Sequence, residues 1–166
     1  MAAITETQLK LRDAGIQLKL AIQNTGDEVI FRSCINAFIM ASRSILEVMK
    51  EESQTNQQLL EWYEQQVSNL KQMPIERFFF QQRELTMHRG NVKPRSLSAP
   101  IKNFVANGEQ IFDEGTLMAW VFDGIEEFIP GDSGNVLRLC DQHFFILKPL
   151  VHAWLAAKQP PKAHNI

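Results

Sequence analysis

Cysteine is scarce in this chain: Cys34 and Cys140 are the only two in 166 residues, far apart and without a CxxC spacing or a histidine pattern beside them. That excludes a disulfide framework and gives a thiolate metal site little support. Each cysteine sits among apolar neighbours, as reduced cysteines packed as small core hydrophobes do, and a single disulfide is the most the pair allows. A cationic excess is missing too. The 17 Lys and Arg stand against 19 Asp and Glu, for a net charge of −2. Binding nucleic acid by broad counterion release needs the opposite balance, so any RNA contact has to be local. No apolar run approaches eighteen uninterrupted residues, and the first ten residues lack a basic stretch followed by an apolar one. The expectation is a soluble cytoplasmic protein with no membrane partner, folded as one domain over residues 1–166.

Glycine and proline are few, and their distribution divides the chain. Before Gly90 four segments carry a helical period. Thr5 to about Gln23 is amphipathic around Leu9, Ile16 and Leu20. After Thr25-Gly26, Asp27 is a plausible N-cap for a segment to about Glu52, so rich in apolar residues that it reads as the central helix. Asn56 caps a third helix to about Lys71, whose Trp62 and Tyr63 read as core or dimer-face aromatics. Pro74 opens and Gly90 closes a fourth, Pro74–His88.

Between Asn91 and Pro130 the period is lost. Asn107-Gly108, set between Ile101–Ala106 and Glu109–Asp113, is the signal for a hairpin with a primed turn, and Leu117–Asp123 suggests a third strand. A last helix is expected from Asn135 to about Lys158, kinked or interrupted at Pro149. Gln159 to Ile166 reads as a poorly ordered tail. The fold class is mainly α: an antiparallel, up-and-down helical bundle with a small β-hairpin insertion at about residues 91–130.

Most chemistry-bearing residues have ordinary readings. Asp132-Ser133-Gly134 superficially matches a serine-protease nucleophile sequence, but a helical chain cannot supply that framework. His143 and His152, nine residues apart on the last helix, cannot share one metal ion and read as core or surface residues. No metal or cofactor is expected. The fourth helix is different. It ends with Arg83, Glu84 and His88, and Arg89, Lys93, Arg95 and Lys102 form a local basic patch just beyond. Its Phe78-Phe79-Phe80 run is apolar over more of the circumference than one core face requires, which suggests burial against a second chain.

The order of Phe38-Ile-Met-Ala-Ser-Arg-Ser-Ile45, then Trp62-Tyr63, then Arg77-Phe-Phe-Phe-Gln-Gln-Arg83-Glu-Leu-Thr-Met-His88 resembles the HEPN domains. Their hallmark is an Arg followed four to six residues later by a His near the end of a late helix. The resemblance covers about residues 28 to 92 and, more loosely, the last helix. It implies a metal-independent endoribonuclease, often a toxin or defence protein, with the site at a homodimer interface. Arg83 would hold the phosphate and His88 would carry the proton. Glu84 stands where the family most often has Asn; a carboxylate there repels phosphate, or else orients His88 and favours its charged form. Arg89, Lys93 and Arg95 would steer RNA. The resemblance also admits a catalytically inactive dimeric interaction module or antitoxin-like regulator, with a protein or nucleotidyltransferase-type antitoxin as partner.

Overall fold

The computed structural model describes residues 4–88, 90–106 and 109–158. These form five helices and one two-stranded antiparallel sheet: α1 (Glu6–Gln23), α2 (Glu28–Ser53), α3 (Gln57–Leu70), α4 (Pro74–His88), β1 (Arg95–Ala106), β2 (Glu109–Val121), a short 3-10 turn (Ile125–Glu127) and α5 (Val136–Lys158). The chain is thus mainly helical, as its periodicity indicates.

Local chemistry sets the helix starts. Thr5 and Gln8 form a reciprocal capping box on α1. The Asp27 carboxylate accepts the Ile30 N–H at 2.9 Å, and the Asn56 side-chain oxygen accepts that of Leu59 at 3.1 Å. Asn135 caps α5 in the same way through Arg138 N–H at 2.9 Å. The short turn between α1 and α2 returns the chain on itself. The Thr7 hydroxyl therefore reaches the Glu52 carboxylate at the far end of α2, at 2.6 Å, and the two helices are antiparallel.

Helix α2 is the spine of the core. Phe31, Ile35, Phe38, Ile39, Ile45, Leu46 and Met49 are all buried along it. Each such side chain contributes about 1.5–3 kcal/mol relative to exposure. By length and composition α2 is also apolar enough to cross a membrane, with a mean hydropathy of 1.4 over its best window, half of which is buried. The buried core helix of a water-soluble fold meets the same measure. Tyr63 joins the core and Trp62 packs half-buried against it. Cys34 and Cys140 are both buried and free.

Two expectations are corrected. The hairpin strands are longer than the turn signal suggests, and Leu117–Asp123 is no third strand: its first five residues continue β2, with Arg95 paired to Val121. The residues at 107 and 108 lie outside the described ones, but Ala106 pairs with Glu109 on either side of them. Pro149 does not interrupt α5, which runs through it to Lys158. Pro149 is exposed, so water can solvate the Phe145 carbonyl that loses its helical donor. The phenylalanine run of α4 finds its partners within the chain. Phe78 and Phe79 are buried and meet Phe122 at centroid distances of 5.3 and 6.2 Å, while Phe128 covers Phe78 at 5.7 Å. Phe80 is half-buried, with the Arg43 guanidinium 5.0 Å from its ring centre. The tail at 159–166 lies outside the described residues.

The base of the hairpin is tied to the helices. The Trp120 ring stacks on Phe31 at 4.6 Å, and its indole N–H donates to the Thr25 carbonyl at 2.8 Å. After β2 the chain turns through Gly134 (φ 72°), whose carbonyl accepts the Phe122 N–H at 2.8 Å. A Cβ on residue 134 would lie 2.6 Å from the Phe122 carbonyl oxygen, so only glycine fits that turn.

Candidate functional site

The helical stripe that carries Arg83 also carries Glu76, seven residues and two turns earlier. Both face neighbouring helices through polar groups. At the Arg83 end, the guanidinium donates to the Glu47 carboxylate of α2 at 2.6 Å and to Glu84 at 3.3 Å. The same Glu47 oxygen, Oε1, accepts from Arg43 at 3.3 Å, and the Arg43 guanidinium lies 5.0 Å from the centre of the Phe80 ring. Arg83 Nε is buried and has no acceptor. It is the one buried side-chain nitrogen or oxygen among the described residues left without a partner. Such an atom costs about 1–3 kcal/mol, so its presence on this residue calls for an explanation.

His88 is placed by its backbone as the last residue of α4. Gly90 follows with φ 95°, the left-handed conformation expected just past a helix C-terminus. The segment beyond is stitched to α2. The Asn36 side chain donates to the Val92 carbonyl at 2.9 Å and accepts the Val92 N–H at 2.8 Å. Two residues further on, Arg32 donates to the Pro94 carbonyl through two nitrogens, at 3.1 and 3.0 Å. The exit from α4 is therefore held in place immediately after the candidate histidine.

Two open grooves flank this exit segment. One of about 570 Å³ runs along α2 past Arg32, Ser33, Asn36 and Lys93; another of about 540 Å³ lies on the other side, past Gln82, Leu85 and Asp123. Lys93 is exposed and borders both. Arg95 is exposed but pairs with Asp123 at 3.1 Å, at the base of the hairpin. Arg89 and the side chain of His88 lie outside the described residues. The fold sets Arg83 and Glu84 on α4, with Arg83 against Glu47 of α2, and Lys93 in the exit segment beside Arg32 and Asn36, while Arg95 belongs to the sheet.

Glu47 and Asn36 escaped the sequence reading, as did a third feature. At the other end of the stripe, Glu76 is 1% exposed and its carboxylate lies 2.7 Å from Nδ1 of His143 on α5. The other ring nitrogen of His143 is 3.2 Å from the Ser42 hydroxyl of α2, which itself donates to the Ile39 carbonyl at 3.0 Å. The imidazole stacks on Phe79 with centroids 4.2 Å apart and planes within 8°. A cavity of about 10 Å³, walled by Ile39, Leu46, Phe79 and Phe80, adjoins this array. It has room for one water and no more. Ser42, His143 and Glu76 hence form a buried polar pin through three helices. The core reading of His143 holds, with a carboxylate partner that sequence periodicity placed on no particular face.

Asp132 and Ser133 form a turn. The Asp132 carboxylate accepts the Gly134 N–H at 2.8 Å and pairs with Arg138. His152 is exposed on α5. Among the described residues, no three His, Cys, Asp or Glu side chains gather where they could hold a metal ion.

No family model, curated protein or solved structure matches the chain. The class defined here is a mainly helical fold with one two-stranded hairpin.

Proposed function

We propose that this chain is a HEPN-like, metal-independent endoribonuclease that acts as a homodimer in the cytoplasm, in the manner of a toxin or defence protein. Arg83 binds the scissile phosphate, His88 moves the proton, Glu84 orients His88, and Arg89, Lys93 and Arg95 steer the RNA. In the reaction the ribose 2′-oxygen bonds to phosphorus as the bond from phosphorus to the 5′-oxygen breaks. One histidine takes the 2′-OH proton and another protonates the leaving 5′-oxygen. A single chain offers one Arg83 and His88 pair, so a two-fold partner supplies the second histidine.

The observation that carries this reading is the Arg83 guanidinium: it sits at the end of α4 with Nε buried and lacking an acceptor. An incoming phosphodiester offers two oxygens on one phosphorus, which a planar guanidinium fork can hold through two parallel N–H bonds. Incubating the purified protein with structured RNA in EDTA tests the proposal. Cleavage by the wild type, lost in His88→Ala and Arg83→Ala, is the expected result; cleavage that persists in His88→Ala removes that histidine from the mechanism.

A second reading is a catalytically inactive HEPN-like dimeric interaction module or antitoxin-like regulator. The pairing of Arg83 with two carboxylates, Glu47 and Glu84, favours it, because these contacts resemble a structural ion network. No cleavage by wild type, together with loss of the dimer in Arg83→Ala by light scattering, would establish it over the nuclease.

A further inference from the structure

The Arg43–Glu47–Arg83 network has an unusual arrangement: one carboxylate oxygen serves two guanidinium groups from different helices. Arg43 is four residues before Glu47 on α2, on the same face, and its approach does not depend on α4. If Arg83 withdraws, Glu47 keeps a cationic partner. Arg83, in turn, leaves two carboxylates and carries a buried Nε–H that neither of them satisfies. The side chain is 20% exposed, so part of it is open to a ligand. Glu47 is 45% exposed and lies at the surface, where a polyanion can approach it.

We infer that Glu47 is a competitor for the ligand of Arg83: it holds the guanidinium until a phosphodiester of single-stranded RNA displaces it, and Arg43 then retains the carboxylate. Arg83 passes from carboxylate to phosphate, and Glu47 passes from two arginines to one. This rests on the reading of Arg83 as a phosphate-binding residue, and it adds a residue of α2 that sets how readily the site is occupied.

The test uses a single-stranded RNA oligonucleotide with 2′-O-methyl sugars, which lacks the nucleophilic hydroxyl and so reports binding without cleavage. Fluorescence anisotropy at fixed ionic strength would compare wild type with Glu47→Gln, Arg83→Ala and Glu47→Gln/Arg83→Ala. Glu47→Gln should bind about two- to fivefold more tightly, the range expected for release from one partly exposed ion pair. The gain should vanish in the double variant. A gain that survives there would show general relief of negative charge and overturn the proposal, as would unchanged or weaker binding by Glu47→Gln.

Inorganic phosphate added at matched ionic strength separates a phosphodiester site from a simple anion site. Displacement of the oligonucleotide at low millimolar phosphate would overturn the RNA assignment; retention supports it. If the oligonucleotide results hold while no RNA is cut in EDTA, the competition at Arg83 stands and the nuclease reading fails.

Discussion

Replacing His143 by alanine tests the physical role of the pin through α2, α4 and α5. In the wild type, Glu76 is almost wholly buried and its carboxylate is matched by the imidazole at 2.7 Å. Deleting one member of a buried pair leaves the other uncompensated, at a cost of about 3–5 kcal/mol. The lost stacking on Phe79 adds about 0.5–1.5 kcal/mol. Against a total stability of roughly 5–15 kcal/mol, the variant should be folded but close to the margin. For a chain of this size each kcal/mol lowers Tm by about 2–4 °C, so a fall of at least about 6 °C is expected. Urea unfolding followed by tryptophan fluorescence would give the free energy directly, with an unchanged m-value showing that the denatured state is unaltered. The double variant Glu76→Leu/His143→Leu separates the polar contact from packing, because apolar replacement of a buried polar pair is often neutral or better. It should be more stable than His143→Ala. A loss below about 1 kcal/mol in His143→Ala would refute the idea that the array is a buried hydrogen-bonded pair with no easy substitute.

Asn36→Ala should cost about 1–3 kcal/mol and speed amide hydrogen exchange at Val92, whose N–H and carbonyl both lose their partner. Gly134→Ala should cost about 2 kcal/mol or more on urea unfolding, since it meets both a left-handed backbone and the Phe122 carbonyl at 2.6 Å. Burial raises the Cys140 thiol well above its ordinary range, and it also raises the Tyr63 hydroxyl. Both groups keep their protons in the folded chain at a pH where the unfolded chain has lost them, so stability is fully present below about pH 8.5 and falls as pH rises beyond it. Equilibrium unfolding across pH 7 to 10 should show that fall, and Cys140→Ala should flatten its first part.

The helices were legible because their signals are local. Asp27 and Asn56 act within three residues of themselves, and the apolar period of α2 is long enough to survive noise. The hairpin was legible for the same reason at Asn107-Gly108, but not its length: pairing from Arg95 to Val121 is decided by strands that meet across the sheet. Of the candidate site, Arg83 and the helix end at Gly90 could be read, whereas Glu47, Asn36 and Glu76 could not. Their partners lie 36, 56 and 67 residues away, at Arg83, Val92 and His143. Nothing in the periodicity of one helix identifies such partners. Phe78 of the phenylalanine run is likewise met by residues far along the chain, Phe122 and Phe128.

The bond between Asn36 and Val92 also bears on how the hairpin is protected. β1 begins at Arg95, only three residues after Val92, and the segment just upstream of a strand is a natural place for pairing to continue. A two-stranded sheet exposes both of its outer edges, and an unpaired donor and acceptor on an extended residue invite a strand from another molecule. At Val92 both groups are already occupied by a primary amide that offers the same donor and acceptor as a peptide bond. Asn36 thus behaves as a one-residue dummy strand, ending the ladder on the helix side and leaving an aggregating neighbour nothing to add to at that position.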